Sequence, residues 1–186
     1  MLPTNSLNKL FVQLAKNFPN RDHFQWLHYS LSSFGGNSRF PKDAEFTTAF
    51  TTQPQYGLGT TRFILCRLEK SFNHKEVVDL SKATIEHILP QTLNQGWKDE
   101  LGIESESIHT TWVHTFGNLT LTAYNSELGN RPFSDKKAEL ATTHIELNRW
   151  ILQQKNWCSK EIEERAKELL LIANRIWISP LDTTAN

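Results

Sequence analysis

The sequence predicts a mainly helical protein with one small β element. Apolar residues recur at helical spacing over residues 6–17, and Pro19 closes that series. The clearest helical face follows Ser159 and continues to Trp177, with Glu161 near the positive end of the helix dipole. Between these segments lie two short β-prone runs, Thr84 to Leu89 and Leu119 to Thr122.

The remaining elements follow from weaker patterns. Residues 59–72 carry apolar side chains on one face, and residues 44–50 predict a helix that Pro41 could open. An apolar series over residues 24–31 precedes Gly35-Gly36 and predicts a further helical segment. We expect a polar loop between the two strands and a helix that begins near Ala123.

Length and composition bound the organisation of the chain. A chain of 186 residues with 38% hydrophobic residues can bury one sizeable core, so we expect a single compact domain over residues 1–186. We divide it into a helical N-terminal part (1–80), a core that carries the chemical motifs (81–142), C-terminal helices (143–179) and a frayed tail (180–186).

Charge and cysteine content narrow the function classes. Twenty basic residues balance twenty acidic ones, so any surface that binds nucleic acid must be local. Cys66 and Cys158 stand alone without metal-ligand spacing, which predicts two reduced thiols. The sequence has no secretion signal and no apolar run of about 20 residues, so we expect a cytoplasmic protein without membrane contact.

Two motifs carry chemistry. The first, IEHILPQ over residues 85–91, places Glu86 beside His87 between apolar residues and before Pro90. Alternation puts these two side chains on opposite faces of an ideal strand, so they share one site only if the backbone turns there. The second motif, GNLTLTAYNS over residues 117–126, brackets the second strand with Asn118 and Asn125.

Structural roles are open for each of these residues. Taken alone, His87 is a core histidine more often than a catalyst, Asn118 is a turn residue, and Asn125 is a helix N-cap. The other histidines lack ligand spacing, and only His114 draws attention, because it lies three residues before Gly117.

These motifs resemble the C-terminal nuclease domain of GmrSD-type modification-dependent restriction enzymes, a branch of the HNH (His-Me finger) nucleases. The resemblance rests on IEHILPQ, on GNLTLTAYNSELGN over residues 117–130, on Phe133 with the following lysines, and on the series from Trp157 to Leu169. It implies a mainly α fold with a small embedded ββα-metal (His-Me finger) element over residues 81–142.

The resemblance also implies roles for the site residues. His87 is then the general base, Asn118 orients it, and Glu86 and Asn125 are metal ligands. Oxygen ligands favour Mg²⁺ or Mn²⁺ over zinc. A neutral imidazole and one hard cation meet the needs of phosphodiester hydrolysis, which requires an activated nucleophile and charge neutralisation.

DNA and a sensor module are the expected partners. Arg131, Lys136 and Lys137 follow the predicted metal-binding helix and are candidates for phosphate contacts, although a solvated helix face explains the lysines equally well. The resemblance implies an N-terminal nucleotide-hydrolysing module that senses modified phage DNA, and no GxxxxGK loop occurs here. We expect that module elsewhere in the full-length protein or in a partner chain.

The sequence thus predicts a metal-dependent HNH endonuclease that nicks or cleaves DNA as the effector of a bacterial anti-phage restriction system. One alternative is a catalytically inactive DNA-binding or protein-interaction module on the same scaffold. A purely structural helical adaptor is a third hypothesis, but it leaves both motifs without an explanation.

Overall fold

Two compact units make up the chain. In the computed structural model, the described residues are 4–36, 39, 41–123 and 128–178. One unit comprises Met1–Phe46 with Ile178–Asn186, and the other comprises Thr47–Trp177. The domain bounds drawn from the sequence stay a prediction. The predicted tail (180–186) lies outside the described residues. So do residues 124–127, which follow the predicted helix start near Ala123 and include the candidate ligand Asn125.

Two helices lie wholly within the described residues of the first unit, α1 (Thr4–Lys16) and α2 (His23–Ser33). Helix α1 buries Leu10 and Leu14, which confirms the helical spacing over residues 6–17. Between α1 and α2, the ring of Phe18 stacks on His23 at a centroid distance of 4.8 Å. Helix α3 (Asp43–Thr52) begins in this unit and ends in the second.

The second unit is mainly helical, as expected. The helices described in this unit are α4 (Thr61–Lys70), α5 (Gln95–Leu101), α6 (Ser105–Trp112), α7 (Phe133–Leu140), α8 (Arg149–Leu152) and α9 (Ser159–Ile176), with 3₁₀ turns at Gly102–Glu104 and Glu146–Asn148. Among the described residues, none of the helices has both the length and the hydropathy to cross a bilayer.

The polar loop predicted between the strands is wrong in part, because this segment contains α5 and α6. Asn94 caps α5 by accepting a hydrogen bond from the backbone N–H of Trp97 at 3.0 Å. Trp97 is the buried residue of α5, and Ser105 is that of α6. Helices that bury so few residues show little apolar periodicity, so the sequence pattern did not reveal them.

The two predicted strands are confirmed. Strand β1 (Thr84–His87) pairs in antiparallel fashion with β2 (Leu119–Thr122), and His87 lies opposite Leu119. Leu119 and Leu121 are fully buried. Directly after β1, Ile88 and Leu89 enter a core of buried residues that also contains Trp97, Leu128, Phe133, Leu140, Ile151, Trp157 and Ile162. The end of β1 is therefore anchored in the centre of this unit.

A buried arginine joins α9 to the turn before β2. Arg165 donates hydrogen bonds from Nη1 to the carbonyl oxygens of Gly117 at 2.8 Å and Leu119 at 2.7 Å. Gly117 lies so close to α9 that a Cβ atom on it would meet the carbonyl oxygen of Ile162 at 2.1 Å. Only glycine fits this approach of backbone to backbone.

We therefore expect Gly117→Ala to destabilise the protein. The added methyl group must displace α9 or the turn, and overpacking of this kind costs about 1–3 kcal/mol. Urea denaturation followed by circular dichroism measures the loss. Gly59→Ala is the matched control, because no atom lies within 4 Å of its Cβ position. Equal stability of the two variants would contradict the close contact between α9 and Gly117.

Candidate active site

Glu86 at the end of β1 forms a buried ion pair. Its Oε1 atom lies 2.7 Å from Nζ of Lys136 on α7, and the same ammonium donates to the backbone carbonyl of His87 at 2.6 Å. Burial raises the pKa of Glu86 and lowers the pKa of Lys136, while the opposite charge of each partner counteracts the shift. The predicted metal ligand is thus bound to an internal cation.

The placement of Lys136 corrects one expectation. A lysine that contacts DNA phosphates needs an exposed ammonium, but the Lys136 side chain is 0% exposed. Lys137 is partly buried, and its Nζ donates to the carbonyl of Gln154. Arg131 is exposed, while its backbone carbonyl accepts a hydrogen bond from Nε1 of Trp97 at 3.1 Å. Arg131 therefore remains the best placed of the three for phosphate contact.

The imidazole of His87 lies in an aromatic cluster and makes contacts that do not involve Glu86. Its Nε2 atom is 3.2 Å from Nδ1 of His114, and its ring meets the edge of Tyr56 at a centroid distance of 4.4 Å. The ring is nearly buried, with 4% exposure. Burial, together with the nearby His114, Lys136 and His109, lowers the pKa of His87 to about 3. The ring is therefore neutral near pH 7, so one of its two nitrogens carries a lone pair without a proton.

His114 is held from the segment that follows α3. Its carbonyl oxygen accepts hydrogen bonds from the backbone N–H groups of Gln55 at 2.7 Å and Tyr56 at 3.2 Å. The Tyr56 ring lies parallel to the His114 ring at a centroid distance of 5.5 Å. Sequence reasoning left His114 open and gave Tyr56 no role. Proximity of His114 to the GNL motif was the one signal that pointed to this cluster.

Asn118 fixes the backbone beyond His87 rather than the ring itself. Its side chain accepts from the N–H of Leu89 at 2.7 Å and donates to the carbonyls of Leu89 at 2.8 Å and Val113 at 2.9 Å. Trp157 also donates to the Asn118 carbonyl oxygen through Nε1 at 2.9 Å. The predicted role of orienting His87 stays a prediction, and the contacts limit that role to the main chain.

The donor set for a metal ion is incomplete in the described part of the chain. Within residues 4–36, 39, 41–123 and 128–178, no group of three or more His, Cys, Asp or Glu side chains could hold a metal ion. Glu86 supplies a carboxylate of the type that Mg²⁺ and Mn²⁺ prefer. Its ion pair with Lys136 means that an arriving cation has to share or displace the ammonium. The other predicted ligand, Asn125, lies outside the described residues.

Comparison with known proteins gives the chain its class. A family model for the C-terminal domain of GmrSD restriction endonucleases matches residues 40–172, which include both motifs, β1, β2 and most of α9. The domain is thereby a restriction endonuclease-type nuclease that acts on DNA. The chain belongs to the GmrSD restriction endonuclease C-terminal domain family, as the resemblance of its motifs predicted. A comparison with curated proteins gives no significant match.

We expect Asn118→Asp to destabilise the fold. A carboxylate oxygen would replace the Nδ2 donor and face the carbonyls of Leu89 and Val113, which would lose their partner in a buried place. Each unsatisfied buried group costs about 1–3 kcal/mol. Thermal and urea denaturation measure the loss, and Asn156→Asp at an exposed position is the control. Equal transitions for both variants would contradict the proposed role of Asn118 as a clamp on the backbone.

Proposed function

We propose that this domain is an HNH-type, metal-dependent endonuclease that nicks or cleaves DNA, with His87 as the general base. The observation that carries the proposal is the imidazole of His87, held at the end of β1 by its 3.2 Å contact with His114, in the residue that follows the buried carboxylate of Glu86. Membership of a restriction endonuclease family supports it. The β1–β2 pair is then the strand portion of a ββα-metal (His-Me finger) element.

In this proposal each residue has a separate task. His87 accepts the proton of a water molecule that attacks phosphorus. Asn118 holds the backbone of Leu89, two residues after the base, so that β1 ends in a fixed position. Arg131, which is exposed and lies two residues before α7, binds a DNA phosphate. Net neutrality of the chain makes such a local contact necessary.

The proposed metal ion is Mg²⁺ or Mn²⁺, held by Glu86 and Asn125. When bound, it neutralises negative charge on the phosphate oxygens and the leaving oxygen. Lys136 holds Glu86 in place through the 2.7 Å ion pair, and its charge opposes the burial that raises the pKa of Glu86. The same pair makes Lys136 a competitor for the carboxylate that the ion needs.

The proposed partners follow from the family. We propose that an N-terminal nucleotide-hydrolysing module, in the same full-length protein or in a partner chain, selects modified phage DNA and directs this nuclease to it. The domain then serves as the effector of an anti-phage restriction system in the cytoplasm. The alternative is an inactive DNA-binding module, and its supporting observation is the ion pair that occupies the Glu86 carboxylate. DNA binding without cleavage would favour this alternative.

The first test is cleavage of supercoiled plasmid. We expect the wild-type protein to nick it with Mg²⁺ or Mn²⁺ and not with EDTA, and His87→Ala to lose about 100-fold or more in rate, as for a lost general base. His144→Ala, which changes an exposed histidine, is the matched control and should cleave at the wild-type rate. Equal rates for the His87 and His144 variants would remove His87 as the base.

The second test is metal binding read from thermal stability. A ligand that binds only the folded state raises Tm, so Mg²⁺ or Mn²⁺ should stabilise the wild type, and Glu86→Gln should abolish that rise. Lys136→Met should enlarge it, because the ion no longer competes with the ammonium. Lys137→Met is the control, since its ammonium binds the carbonyl of Gln154. An unchanged rise in Glu86→Gln would exclude Glu86 as a ligand.

A further inference from the structure

His87 and His114 share one hydrogen bond, and its direction decides which atom of His87 is free. The 3.2 Å contact joins Nε2 of His87 to Nδ1 of His114, so one nitrogen carries a proton and the other accepts it. A neutral imidazole has one N–H donor and one acceptor nitrogen, so either ring can be the donor in this contact. Two arrangements are then possible in chemical terms.

The second nitrogen of His87 is the one that faces away from this contact. Among the described residues, Nδ1 of His87 has no hydrogen-bond partner. It is also not among the side-chain atoms that are both fully buried and without a partner, which are Ser32 Oγ and Arg165 Nε. If His87 donates from Nε2, its Nδ1 lone pair is open to accept a proton. If His114 donates instead, Nδ1 of His87 carries the proton and cannot act as a base.

Resting on the proposed function, we propose that His114 is the positioning residue of His87. Nδ1 of His114 accepts a hydrogen bond from Nε2–H of His87, and this leaves Nδ1 of His87 as the basic atom. The proton that water loses then goes to Nδ1 of His87, and the resulting hydroxide attacks phosphorus as the P–O bond to the leaving oxygen breaks. The Nε2–H···Nδ1 bond becomes charge-assisted in that step, and such bonds are about twice as strong as neutral ones.

The surroundings are built to hold His114 in this position. Two backbone N–H groups, from Gln55 and Tyr56, fix its carbonyl oxygen. The Tyr56 ring lies parallel to His114, at 14°, and nearly perpendicular to His87, at 74°. Tyr56 thus packs against both imidazoles. The charged and titratable groups near the pair are Lys136, which binds the carbonyl of His87, and His109, whose Nε2 donates to the carbonyl of Pro90.

The direct test reads the tautomer of His87 by NMR. Long-range ¹H–¹⁵N spectra of the ¹⁵N-labelled chain show which ring nitrogen is protonated. We expect His87 to be protonated at Nε2 in the wild type and in His114→Asn, whose side-chain oxygen also accepts a hydrogen bond. His114→Ala should lose this preference. A His87 ring protonated at Nδ1 in the wild type would overturn the proposal, whether or not the protein cleaves DNA.

Cleavage kinetics supply the second readout. His114→Ala should lower kcat about tenfold with KM nearly unchanged, as for loss of a group that orients another. His114→Asn should recover most of that loss, and His144→Ala should match the wild type. A kcat for His114→Ala equal to that of the wild type would also overturn the proposal. A wild type that cleaves no DNA would instead refute the proposed function, while the tautomer would still decide the role of His114.

Discussion

The arrangement around the candidate site depends on a buried guanidinium held by carbonyl groups. Arg165 is 1% exposed and donates to the carbonyls of Phe116, Gly117, Leu119 and Leu147. No ion pair within the described residues includes it. Burial lowers its pKa to about 9, so it remains charged near pH 7. The partial charges of the carbonyl groups therefore provide the compensation that a carboxylate usually gives, and they fix the turn that begins β2.

This constraint explains how a sheet of two four-residue strands keeps a defined geometry. An isolated pair of strands is only marginally stable in water. Here Arg165 holds the start of β2 from α9, and Asn148 donates to the carbonyl of Leu121 near its end. Asn118 extends the pairing beyond β1 by binding both backbone groups of Leu89. Side chains from distant parts of the chain thus replace the neighbouring strands that a larger sheet would have.

The features that the sequence predicted are those with a local signal. Helix α9 has a long apolar face, and β1 and β2 show alternation next to proline and glycine, so their positions were readable. The burial of Lys136 was not, because its partner Glu86 lies 50 positions earlier and its own segment reads as a charged helix face. The His87–His114 contact could not be predicted for the same reason, because only folding brings the end of β1 to the segment before Gly117.

The two sides of β1 carry different chemistry, and Lys136 connects them. Strand alternation sends the Glu86 carboxylate to Lys136 and the His87 ring to His114 and Tyr56. Lys136 also binds the carbonyl of His87, so its charge acts on both residues across the strand. In a buried place that charge is poorly screened. It opposes the burial that raises the pKa of Glu86, and it adds to burial and to the nearby His114, which lower the pKa of His87. The same ammonium therefore acts on the carboxylate and on the imidazole from its place beside β1, and the proposed hydrolysis requires an ionised carboxylate together with a neutral imidazole.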